Sequence, residues 1–71
     1  MLSKTRDYRY PKDGEYQPVV LRRHGGDWQP LSQPTTDERL ARSIADGERT
    51  CDDSILAAGV MSADLVVREM A

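Results

Sequence analysis

The pattern of apolar and polar positions changes near Pro34. Upstream, the densest apolar run lies in residues 16–23, Tyr16-Gln17-Pro18-Val19-Val20-Leu21-Arg22-Arg23. It is β-branched in the middle and bounded by turn formers, which predicts a strand. His24-Gly25-Gly26-Asp27 predicts a tight turn, because two glycines tolerate the positive φ of hairpin turns. Trp28-Gln29-Pro30-Leu31-Ser32 then returns as the partner strand. Pro18 and Pro30 lack an N–H donor, so neither suits a central strand, and the pair reads as a hairpin with edge character or covered ends. Residues 1–14, with Tyr10-Pro11-Lys12-Asp13-Gly14, show no period and read as an irregular arm. Glu15-Tyr16-Gln17-Pro18-Val19 echoes Asp27-Trp28-Gln29-Pro30-Leu31, but two copies do not make a repeat architecture.

Downstream of Pro34 the pattern predicts helices. Thr35-Thr36-Asp37-Glu38 reads as a capping box. Leu40 and Ile44 lie four apart with Ala41 and Ala45 beside them, a narrow apolar face, and Gly47 is a natural stop. A second helix is expected after Thr50, with Asp52 and Asp53 in its first turn, running through Ile55-Leu56-Ala57-Ala58 to Gly59. Ser62 would cap a third, Ala63 to Met70, unless both form one helix bent at Gly59. The expected fold is therefore α+β, with an N-terminal arm and β-hairpin packed on two or three C-terminal α-helices. It forms one small domain over 1–71: arm 1–14, hairpin 15–32, helical part 35–71. The expected core is Val19, Leu21, Trp28, Leu31, Leu40, Ile44, Ile55, Leu56, Leu65, Val66 and Met70. On that packing, Leu40→Asp or Leu65→Asp should unfold the domain.

Composition makes that core thin. Of 71 residues, 38% are hydrophobic and none is Phe. So short a chain has little room for a second domain or a large internal cavity. No apolar run is long enough to span a membrane. Cys51 and His24 are the only residues of their types, too few for a disulfide within the chain or a zinc set, and no cofactor is expected. The lone thiol, and an N-terminus without the apolar stretch of a signal peptide, fit the cytoplasm.

Charge divides along the chain. Six basic residues stand against three acidic ones in 1–24, and nine acidic against four basic in 25–71, for a net −2. A basic front and an acidic back can face two partners or pair with another copy, so a homodimer is among the expectations. Arg6, Tyr8, Arg9, Tyr10 and Lys12 alternate charge with stacking surfaces, a mix used on single-stranded nucleic acid, and Arg22 and Arg23 could extend that patch. Trp28, the only Trp, is a candidate interface anchor as well as a core residue. Residues 55–68 loosely match a helix-turn-helix around Gly59. The second of those helices lacks base-reading side chains, and Asp52 and Asp53 would repel phosphate. A Cys51–His24 nucleophile and base would need a third group and a cleft that so short a chain hardly supplies, although a helix start at Cys51 would favour the thiolate. The acids Asp46, Glu48, Asp52 and Asp53 lack calcium-loop spacing. The sequence thus points to a small non-enzymatic interaction module (inhibitor, adaptor or regulator) docking on a larger protein. The alternative is a nucleic-acid-binding regulator using the basic arm and hairpin or the degenerate helix-turn-helix.

Overall fold

The computed structural model describes residues 8–70. Its elements in chain order are β1 (Gln17–Arg22), β2 (Trp28–Pro30), α1 (Glu38–Cys51), β3 (Ile55–Met61) and β4 (Val67–Glu69). The four strands form one antiparallel sheet in the order β2-β1-β3-β4. The expected hairpin is present as β1 and β2, with Val20 opposite Gln29 and Leu21 opposite Trp28. The two or three C-terminal helices are not. One helix packs on the sheet, and the segment after Asp52 that read as helical forms a second β-hairpin.

Pro18 does not put β1 at an edge. β1 is central, paired with β2 on one side and β3 on the other. The Pro18 carbonyl accepts from Leu31 N–H at 2.9 Å, so its backbone faces β2 at the last rung of that ladder. The missing donor therefore removes only a terminal bond. Pro30 does lie on an edge strand.

α1 is capped by Asp37, whose carboxylate accepts from Arg39 N–H at 3.0 Å and Leu40 N–H at 3.2 Å. Thr35 sits further out: its hydroxyl accepts from Asp37 N–H, and its backbone pairs with Tyr16. Gly47 does not stop the helix, which continues to Cys51. An interior Gly costs about 1 kcal/mol relative to Ala. Packing and an ion pair from Glu48 to Arg22 hold the turn beyond it. The buried face is Ala41 and Ala45, both fully buried, while Leu40 is 48% exposed and Ile44 half-buried. Small side chains here let the helix lie close on β1 and β3.

Val20, Ala45, Ile55 and Ala58 form the cluster between helix and sheet, with Leu31 and Met70 against it. Directly paired residues share a face, so Val19, Leu21, Trp28, Ala57 and Met61 line the opposite face. From Ala57 onward strand β3 is buried on both faces, and so reads as a continuous apolar run rather than an alternating one. A bulge between Leu21 and Arg22 in the pairing with β3 leaves Leu56 without an opposite residue and 57% exposed. Leu56, Leu65 and Val66 are therefore outside the core, and Val20, Ala41, Ala45, Ala57, Ala58, Val60 and Met61 are in it.

Candidate interaction surface

Gln17 positions the arm. Its side chain is fully buried and points away from α1, and its Nε2 donates at 3.0 Å to both the Arg9 and the Ser32 carbonyl. One amide thus ties the arm and the segment after β2 to the sheet. Its Oε1 is buried with no partner among the described residues. Next to this tie, Arg9 grips Glu15 through two bonds of 2.7 and 3.0 Å, and Lys12 N–H donates to the same carboxylate at 2.9 Å. The Arg9 guanidinium, followed by the Lys12 N–H, lowers the Glu15 carboxyl to about 2. The arm from Arg9 to Glu15 is therefore a closed clasp, with Pro11 buried, Tyr8 half-buried and Tyr10 and Lys12 exposed. Arg6 lies outside the described residues.

The other predicted contact residues lie at the far end of β1. Arg22 reaches Gln29 at 3.0 Å, Glu48 at 3.4 Å and Asp52 at 3.5 Å. It ties both strands of the first hairpin to the end of α1. Asp52 is itself held below the usual carboxylate range by bonds from the Ser54 backbone and hydroxyl, with Arg22 adding to the effect. Arg23 is exposed and donates to the Asp53 carbonyl at 3.4 Å. Trp28 is half-buried opposite Leu21, which is itself half-buried. The structure thus separates the basic–aromatic set into two groups about 17 Å apart along a six-residue strand. Arg9 and Arg22 are committed to carboxylates in both groups.

A third region was not foreseen. Ser62 N–H donates to the Val66 carbonyl and Leu65 N–H to the Ser62 carbonyl, closing a tight loop over Ala63-Asp64-Leu65. The Asp64 carboxylate accepts from Ser62 Oγ at 2.6 Å and from Val66 N–H at 3.2 Å, and the two bonds hold that carboxyl below its ordinary range. Leu65 adopts φ +63, a left-handed conformation usually taken by Gly or Asn in such loops. Leu65 and Val66 are 53% and 52% exposed. They stand at the entrance to β4, an edge of the sheet.

An open groove of about 290 Å³ lies between the arm turn and this loop, lined by Asp13, Glu15, Tyr16, Ser62 and Asp64 among others. Two of its three carboxylates are already bonded within the chain. Among the described residues no grouping of His, Cys, Asp and Glu suits a metal ion. Cys51 is the last residue of α1 rather than the start of a helix, so the dipole argument for its activation does not apply. The helix-turn-helix reading of 55–68 is overturned, since that segment is β3, a loop and β4. Among the described residues no helix is long and apolar enough to cross a membrane. No family model, curated protein or solved structure matches the chain.

Proposed function

We propose that the protein is a small non-enzymatic interaction module that docks on a larger protein through the Trp28 end of the sheet face opposite α1. The observation that carries this reading is the uneven cover of that face. At the Gln17 end the arm is bonded down, and Val19 is 1% exposed. At the other end Leu21 and Trp28 are only half-buried, with Arg23 exposed at the same end. An apolar centre with a large aromatic and a charged rim is the usual composition of a binding hot spot. The partner is a protein surface with an apolar centre and a polar rim. A lone thiol suits work in a reducing compartment.

The test is capture from lysate by tagged protein, with and without nuclease, repeated for Trp28→Ala and Arg23→Glu. One stoichiometric protein that survives nuclease and is lost with both variants supports the reading. Recovery that depends on nucleic acid, or is unchanged in both variants, overturns it. Arg22 is left intact because its ion pairs serve the fold.

A further inference from the structure

The two edges of the sheet differ in what they offer a further strand. In β2, Val20 and Gln29 form an inward-bonded pair, so Trp28 and Pro30 turn their backbones outward. Pro30 has no N–H. The Trp28 N–H donates to the Asp27 carboxylate at 2.8 Å. Both outward donors of β2 are closed, a common protection of edge strands. In β4, Met70 N–H bonds to the Ala58 carbonyl and the Val66 carbonyl accepts from Ser62, so residues 66, 68 and 70 turn inward. Val67 and Glu69 turn outward, and their N–H groups have no partner among the described residues. The open edge is also the one flanked by exposed Leu65 and Val66.

We propose that β4 seats a second copy of this chain antiparallel, with the two-fold axis at Val67, joining the two four-stranded sheets into one. The inference goes beyond the docking role and uses the opposite edge from Trp28. The occupant follows from register. A two-fold axis perpendicular to a sheet places one residue opposite its own copy. Centring on Arg68 sets guanidinium against guanidinium, and centring on Glu69 sets carboxylate against carboxylate, both unfavourable for direct cross-strand neighbours. Centring on Val67 sets valine against valine, each outward N–H meeting the other copy's carbonyl. Arg68 then lies opposite the other Val66 and runs toward the loop bearing the other Asp64, a complementary charge. Glu69 falls at the other copy's Leu65, which is left-handed and outside β4, so the reciprocal pairing is confined to Val67. This register brings each chain across the other's exposed Leu65 and Val66 and sets no residue of β4 directly opposite a like charge. The contact is short, so association is weak and concentration-dependent.

The experiment is sedimentation of the full chain up to millimolar concentration. The wild type forms a dimer, and Val67→Lys, which sets two ammonium groups face to face, stays monomeric. Leu65→Gly relieves the left-handed backbone and removes apolar cover, so the monomer melts higher while pairing weakens, a split that a purely structural role would not give. A cross-link guards against misfolding of the lysine variant. Cys51→Ser with Val67→Cys forms a disulfide-linked dimer under mild oxidation, since hydrogen-bonded pairs stand about 5.5 Å apart at Cα, within disulfide reach. Cys51→Ser with Arg68→Cys does not. A wild type that stays monomeric at every concentration overturns the proposal. So does a folded Val67→Lys chain that pairs like the wild type, or preferential cross-linking at residue 68.

Discussion

Gly59 has no side chain because β4 leaves no room for one. A Cβ there would meet the Arg68 carbonyl oxygen at 2.7 Å and Val67 Cγ1 at 2.9 Å. The first neighbour is backbone and cannot swing aside. Gly59→Ala is therefore expected to cost about 1–3 kcal/mol, the range for overpacking. The check is a urea midpoint, together with faster amide exchange at Arg68 and Met70 than at β1. Leu65 is the opposite case, a large residue where glycine fits better. A left-handed non-glycine costs roughly 1–2 kcal/mol, so Leu65→Gly is expected to raise the melting temperature in dilute solution, where only the monomer is present. Neither position declares itself in the sequence. Gly59 follows two alanines and read as a helix stop or bend, and the approach of β4 that requires it is a long-range fact.

At the scale of elements, the helix was legible and its buried face was not. The capping-box pattern at 35–38 and the four-residue spacing mark where α1 begins, although the cap is Asp37 rather than a threonine and the helix runs past Gly47 to Cys51. The apolar stripe suggested Leu40 and Ile44, but the helix lies close on the strands and buries Ala41 and Ala45. Ala45→Asp is therefore expected to unfold the protein by burying an unpaired carboxylate. Leu40→Asp and Leu65→Asp, both at exposed positions, should shift stability by no more than about 0.5 kcal/mol. Thermal melts of the three variants separate this packing from a core built on Leu40. The first hairpin was legible because Val19-Val20 is bounded by a glycine turn. The second was missed because Ile55-Leu56-Ala57-Ala58 carries no period, and a short apolar run fits a buried strand and a buried helix equally. The β-branched Val66-Val67 pair was the one local signal for β4. The clasp of the arm had no such signal, since Arg9 and Glu15 lie six apart in an aperiodic segment and meet only because Gln17 anchors the arm.

For the whole molecule, the carboxylates set the acid limit. Glu15, Asp52 and Asp64 all sit below their ordinary values in the folded chain. A group depressed by folding contributes fully above its unfolded value and loses that contribution as pH falls through the folded one. Stability is thus expected to hold from neutral pH down to the ordinary carboxylate value, 4.5 for Glu15, and to decline as pH falls toward about 2. Urea midpoints against pH measure this. Glu15→Gln should make the decline shallower, and an unchanged profile would count against the clasp. The closed edge at β2 has a different consequence, one of stoichiometry. A unit with two open strand edges adds copies at both ends and grows without limit into a fibre. Pro30 and the carboxylate of Asp27 work as chain terminators. With one edge sealed, growth through the other stops at two. Pro30→Thr with Asp27→Ala would remove both terminators, and light scattering at high concentration would then report open-ended filaments in place of a finite pair.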